Sequence, residues 1–449
     1  MRRGEKTGLE VQETGKWGGR REKRQRSATG TLAGHGLDPA QRHDPWRAVP
    51  GPSNGMIQGS DVRHAVSAQH PHPAPIWRHG KAHRPPAAPG EPLSPPGLLQ
   101  GLRFPPFRQR PPWWGADLQT LRDTLRGCRL EESQPRHLVI PVDGEASLLA
   151  CLDSPPDGPP RALALLSHGL GGSSEAEGPR RLAATLCREG FAVLRLNLRG
   201  AGAGRDLAPG SYAADCSSDL LPVLQWARTL AGALARDNAS LPLVGAGISL
   251  GGTILLNACA AALRQGRPGL DALVCISSPL DLPACSRQFE RPRNGFYQRW
   301  LVRRLRREVL ADHLGLCGWE RQALSGANRP RSIRTFDALI TAPRWGYDSV
   351  EAYYAASSPM AWLGEAPPLP PTLLLHAGDD PWVPVAATRN LEQRLQENPA
   401  SLPRKLRVCI TAKGGHNGFH GVGDAPWGSW GDRLSARWLG ELLESLREG

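Results

Sequence analysis

The chain has 449 residues and a formal net charge of +13, from 55 Lys and Arg against 42 Asp and Glu. Such an excess invites a nucleic-acid or membrane partner, but +7 of it falls in residues 1–95, and nearly all the basic residues are Arg in a chain also rich in Ala, Gly and Pro, so no nucleic-acid partner is expected. No apolar run approaches the ~20 residues needed to span a bilayer, and Met1-Arg2-Arg3-Gly4-Glu5-Lys6 opens no apolar stretch, so no secretory signal is expected.

Residues 1–95 are poor in aliphatics and dense in Gly, Pro, Arg, His and Ser, most of all from His70 to Pro96. Such a segment cannot bury enough apolar surface to offset its conformational entropy, and it reads as a basic, disordered extension, with Met56 as an alternative start. A folded domain is expected over 96–449. Its candidate strands are His137–Val142, Ser147–Asp153, Ala162–His168, Ala192–Leu198, Leu243–Ile248, Ala272–Ser277, Thr372–His376 and Lys405–Thr411. The first two are separated only by Asp143-Gly144-Glu145 and read as an antiparallel hairpin. The middle strands are apolar on both faces and alternate with helical stretches at Pro179–Arg188, Ser217–Ala235, Thr253–Arg264 and Ser435–Leu446. That pattern is a mostly parallel, doubly wound α/β sheet with helices on both faces.

More than ninety residues separate Ser277 from Thr372, too many for an ordinary loop. This insertion, at about 280–365, would lie above the carboxyl ends of the strands, where ligands bind in open α/β sheets, and reads as a cap. It includes an expected helix, Phe296–Leu310, with Leu301, Leu305 and Val309 on one face and Arg299, Arg303, Arg306 and Arg307 on the other. The basic face suits either a solvated surface or acidic lipid or substrate, so peripheral membrane contact stays open. The nine cysteines are odd in number, include no Cys-x-x-Cys, and several lie in apolar runs. Free thiols in a reducing cytoplasm fit this better than disulfides or zinc fingers.

The central motif is Gly247-Ile248-Ser249-Leu250-Gly251-Gly252, between an apolar strand and a helical run. A sharp strand-to-helix turn is the setting of a serine nucleophile in an α/β-hydrolase fold, and glycines are needed where strand and helix crowd the turn. A serine hydroxyl is a weak nucleophile without a base, and the fold orders its partners Ser, acid, His. The strand at Thr372 runs into Asp379-Asp380-Pro381-Trp382-Val383-Pro384. Asp380 is the expected acid, with Asp379 as the rival and a turn-ordering carboxylate as its bland role. His416, after Gly414-Gly415, is the expected base; His420 is its neighbouring rival, and His376 reads as a core histidine. The backbone amides of Leu250 and of Leu170, in Ser167-His168-Gly169-Leu170-Gly171-Gly172-Ser173, are the expected oxyanion-hole donors.

Taken together, these motifs resemble the YheT-like branch of α/β-hydrolases. The resemblance rests on Phe104-Pro105-Pro106, Leu118-Gln119-Thr120-Leu121, Ser167 to Ser174, Asn197-Leu198-Arg199-Gly200, Gly247 to Gly252, Phe336-Asp337, Tyr353-Tyr354, Asp379-Asp380-Pro381 and Gly414 to Phe419. It implies an eight-stranded sheet, a Ser249-His416-Asp380 charge relay and hydrolysis of carboxylic esters, with short-chain or monoacylglycerol esters as substrates. No cofactor and no metal are expected, and the partner is a small-molecule or lipid ester. Acyl transfer to an alcohol through the same intermediate is the alternative reading, and a non-catalytic binding protein on the same scaffold is the remoter one. Asp117 and Ala201 stand where members of the branch often carry His and Cys or His.

Overall fold

The computed structural model describes residues 95–449 apart from 128–129, 131–133, 236–239, 366–367, 400–401, 404, 426 and 448–449. The reading of the N-terminal extension therefore lies outside the described residues, as does Cys128. Two helices come first, α1 (Pro95–Gly101) and α2 (Gly115–Leu125), followed by the hairpin β1 (Arg136–Asp143) and β2 (Ala146–Asp153). Then strands and helices alternate: β3 (Ala162–Ser167), α3 (Glu177–Arg188), β4 (Phe191–Leu196), α4 (Ser217–Leu234), β5 (Leu243–Ile248), α5 (Leu250–Arg264) and β6 (Ala272–Ile276).

The strands form one eight-stranded sheet in the order β1-β2-β4-β3-β5-β6-β7-β8, where β7 is Thr372–Ala377 and β8 is Leu406–Thr411. β2 pairs antiparallel with both β1 and β4, and every pairing from β4 across to β8 is parallel. The expected sheet is thus observed, hairpin included. The helices α13 (Ala386–Glu397) and α14 (Trp430–Arg447) complete the two helical layers.

Alternation along the strands explains the layers. Val244, Ala246 and Ile248 of β5 join a core with Leu182 and Leu186 of α3 and Leu434 and Leu439 of α14. Leu243 of β5, by contrast, joins Leu220, Leu224, Ile254 and Leu255 of α4 and α5. Each such leucine taken fully out of water contributes about 2 kcal/mol. A strand so covered must be apolar on both faces, which is why the middle strands show no polar alternation.

Between β6 and β7 the chain is helical: α6 (Leu282–Phe289), α7 (Gly295–Leu310), α8 (Gly318–Ser325), α9 (Ile333–Phe336), a single π-turn at Asp337–Thr341, α10 (Ala342–Arg344), α11 (Val350–Ser357) and α12 (Met360–Leu363). α7 begins one residue before its expected start, and its buried stripe is Tyr297, Leu301, Val302, Leu305 and Val309. That stripe packs on Phe289, Ile333, Phe336 and Ile340 from the neighbouring insertion helices. The side chain of Leu170, from the loop after β3, packs against the same clusters. Among the described residues, no helix is long and apolar enough to cross a membrane.

Candidate active site

The site forms where β5 hands over to α5. β5 ends at Ile248 and α5 begins at Leu250, which leaves Ser249 alone at the turn with φ 54° and ψ −126°. That conformation is sparsely populated for a residue with a side chain and persists only when its surroundings over-determine it. The surroundings here are glycines. A Cβ on Gly247 would run into the backbone of Gly252, and one on Gly251 into the Ser167 carbonyl oxygen. The tight turn thus requires glycine at both flanks, and α5 starts three residues sooner than its apolar periodicity indicates.

Two loops converge on Ser249. The loop after β8 carries His416, whose Nε2 lies 2.9 Å from Ser249 Oγ. The loop after β7 carries Asp380, whose Oδ2 lies 2.8 Å from His416 Nδ1. Oδ1 of Asp380 accepts the backbone N–H groups of Trp382 at 2.8 Å and Val383 at 2.9 Å. Burial works to raise the Asp380 pKa, but the imidazoles of His416 and His376 outweigh it and hold the carboxyl well below the usual carboxylate range. Asp380 therefore stays charged, with fixed orientation, behind the imidazole.

Asp379 takes a different position. Its Oδ1 accepts the Gly415 N–H at 2.9 Å, which ties the acid loop to the residue before His416. Burial raises its pKa. His420 sits beside Asp123, with Nε2 3.3 Å from Asp123 Oδ1. His376 is buried in β7, where Nδ1 meets Thr388 Oγ1 at 2.7 Å and Nε2 lies 3.2 Å from the Val383 carbonyl. Of the three histidines, His416 alone lies within hydrogen-bond reach of Ser249.

The loop after β3 closes the other side. A Cβ placed on Gly169 would stand 3.0 Å from Ser249 Cβ, so Leu170 follows a residue in contact with the serine. The Leu170 amide has no acceptor among the described residues. The Leu250 amide opens α5, where helix N–H groups have no intrahelical partner.

Several residues that support the site carry no signal in the motifs themselves. The Trp382 ring stacks on His416 with centroids 4.5 Å apart. Thr120 Oγ1 accepts the His416 N–H at 2.9 Å, and Gln119 accepts the His420 N–H at 2.7 Å while donating to its carbonyl at 3.0 Å. α2 thus clamps the histidine loop, a role that the Leu118-Gln119-Thr120 sequence does not reveal. Ser277 Oγ accepts the Asn417 N–H at 3.2 Å. Ser249 and His416 open into a cavity of about 270 Å³ whose insertion side includes Leu301, Leu305, Val309, Ile333 and Phe336. Among the described residues, no cluster of His, Cys, Asp or Glu is arranged to hold a metal ion.

A family model described as "Serine aminopeptidase, S33" matches residues 158–404, from just before β3 to just before β8. The chain belongs to this family. Within it, this member of the α/β-hydrolases is similar to YheT of Escherichia coli (strain K12), named as an esterase, with 29% identity over 68% of this chain and 84% of that protein. It is also similar to the phospholipase ABHD3 of Mus musculus, 28% identical over 59% of each chain. A monoacylglycerol lipase of Saccharomyces cerevisiae is 29% identical over 44% of this chain and 40% of its own length. The YheT-like resemblance seen in the motifs thus extends over most of the described domain.

Proposed function

We propose that Ser249, His416 and Asp380 form a charge relay that cleaves carboxylic esters through an acyl-enzyme. The protein is a carboxylic ester hydrolase, and the observation that carries the relay is the unbroken line from Ser249 Oγ through both nitrogens of His416 to Asp380 Oδ2. His416 Nε2 takes the hydroxyl proton as Oγ attacks the acyl carbon. Asp380 holds the tautomer with the proton on Nδ1 and stabilises the imidazolium as it forms. The Leu170 and Leu250 amides meet the oxyanion of the tetrahedral intermediate; one such donor is worth about 10²–10³ in rate. His416 then protonates the leaving alcohol, and water, deprotonated by the same imidazole, releases the acid.

The helical insertion acts as a cap whose apolar inner stripe receives the acyl chain. The substrates are short-chain or monoacylglycerol-type esters, and the relatives named as phospholipase and monoacylglycerol lipase support the lipid-type ester of the two. The chemistry runs on protein groups and needs no cofactor. The eight described cysteines are all unpaired and seven are buried, which supports a reducing, cytoplasmic setting.

The test is turnover of p-nitrophenyl esters of increasing acyl length by wild type and Ser249→Ala. Wild type should be active, and the folded variant should lose about 10⁴-fold or more in kcat. A folded Ser249→Ala that keeps its rate sinks the relay. Added ethanol, with the products analysed, separates hydrolysis from acyl transfer.

A further inference from the structure

The outer face of α7 has no role in the chemistry above, yet it is built in one piece. Phe296, Arg299, Trp300, Arg303 and Arg307 fall at successive spacings of three, one, three and four residues, so they line up along a single side of the helix. All five are exposed, with Phe296 at 64% and Trp300 at 41%. Large aromatics so open on a helix in a water-facing position are costly to leave uncovered. The one acid on the helix, Glu308, stands off this stripe and is engaged by Arg304. Arg306 is also occupied, since it donates to the Leu324 carbonyl. Arg299, Arg303 and Arg307 have no acidic or carbonyl partner among the described residues.

We propose that this stripe docks the protein on an anionic lipid bilayer. Charge complementarity favours that occupant: three unpaired guanidiniums would meet headgroup phosphates and carboxylates, while Phe296 and Trp300 enter at the headgroup level where aromatic side chains concentrate. The opposite stripe of the same helix supplies Leu301, Leu305 and Val309 to the cavity over Ser249. One helix therefore has lipid on its outside and the cavity on its inside. Docking is independent of the ester-hydrolase reading and is read without turnover.

The experiment is co-sedimentation of the full chain with vesicles of phosphatidylcholine alone and of phosphatidylcholine mixed with phosphatidylserine. It compares wild type, Arg299→Gln/Arg303→Gln/Arg307→Gln, Phe296→Ser/Trp300→Ser, and a control, Arg264→Gln/Arg267→Gln, at the far end of α5. Wild type should bind the mixed vesicles and bind less as salt rises. The triple arginine variant should bind roughly a hundredfold more weakly, the aromatic variant should also bind more weakly, and the control should match wild type. The far-ultraviolet circular dichroism spectrum and the Tm serve as the folding readout and should be equal in all four proteins. The proposal is overturned if wild type ignores the mixed vesicles, if the α7 variants bind as wild type does, if the control loses as much, or if the stripe retains duplex DNA and not vesicles.

Discussion

Asp379 and Asp380 are adjacent after β7, yet Asp380 meets the His416 imidazole and Asp379 meets the Gly415 amide. Asp380→Asn would leave the geometry close to intact but favour the wrong imidazole tautomer, and kcat should fall by about 10⁴. Asp379→Asn keeps an acceptor for the Gly415 N–H and should cost less than about tenfold, the scale of one neutral-for-charged hydrogen bond. Parallel kinetics on the two variants check both values, and equal losses would contradict the assignment. His168 gives a second residue-level prediction. Its Nδ1 lies 2.8 Å from the Gly169 carbonyl and donates to it, while Nε2 accepts the Leu198 N–H at 3.3 Å, so no nitrogen is left for a second proton. Burial, aided by the Arg304 cation, pushes its pKa down to about 4. The unfolded chain takes up that proton near the ordinary histidine value and the folded protein does not. Stability from this group is therefore fully present above about pH 6.5 and is lost as pH falls towards 4, by up to about 3 kcal/mol. Melting curves at neutral and mildly acid pH should show a larger acid loss in wild type than in His168→Gln.

At the scale of elements, the turn between β5 and α5 is where local sequence and packing coincide. Gly251→Ala would press a methyl group against the Ser167 carbonyl oxygen, which is backbone and cannot move aside. A loss of at least 1–3 kcal/mol is expected, read as a lowered Tm together with lost turnover. All eight strands were legible in the sequence because their apolar runs are short, rich in Leu, Val, Ile and Ala, and separated by turn or helix signals. Helix starts were less legible. α5 begins at Leu250, ahead of the apolar periodicity from Thr253, because the strained serine forces the helix to start at once. α14 begins at Trp430, where Trp430 Nε1 donates to the Pro105 carbonyl at 2.8 Å, a contact across the whole chain that no local pattern encodes. The convergence of Ser249, Asp380 and His416 was legible because the fold fixes which strand end carries which group. The clamp by Gln119 and Thr120 was not, since it joins α2 to a loop some three hundred residues later.

At the scale of the whole molecule, the sheet supplies three strand ends to one point and the insertion supplies the apolar wall above it. Oγ of Ser249 follows β5, the carboxylate of Asp380 follows β7 and the imidazole of His416 follows β8, so the proposed relay requires β5 through β8 to be in register. The insertion contributes Leu301, Leu305 and Val309 from α7 and Phe336 from α9 to the cavity, and none of the relay groups. The proposed relay and the apolar wall therefore lie in separate layers that meet at Leu170. The central claim, that Ser249 is the group acylated during turnover, is tested most directly by peptide mapping of the protein after reaction with a fluorophosphonate. The account predicts one adduct per chain, on Ser249, with activity lost in step and labelling strongly slowed in His416→Ala. An active protein that forms no adduct, or forms it on another residue, would contradict it.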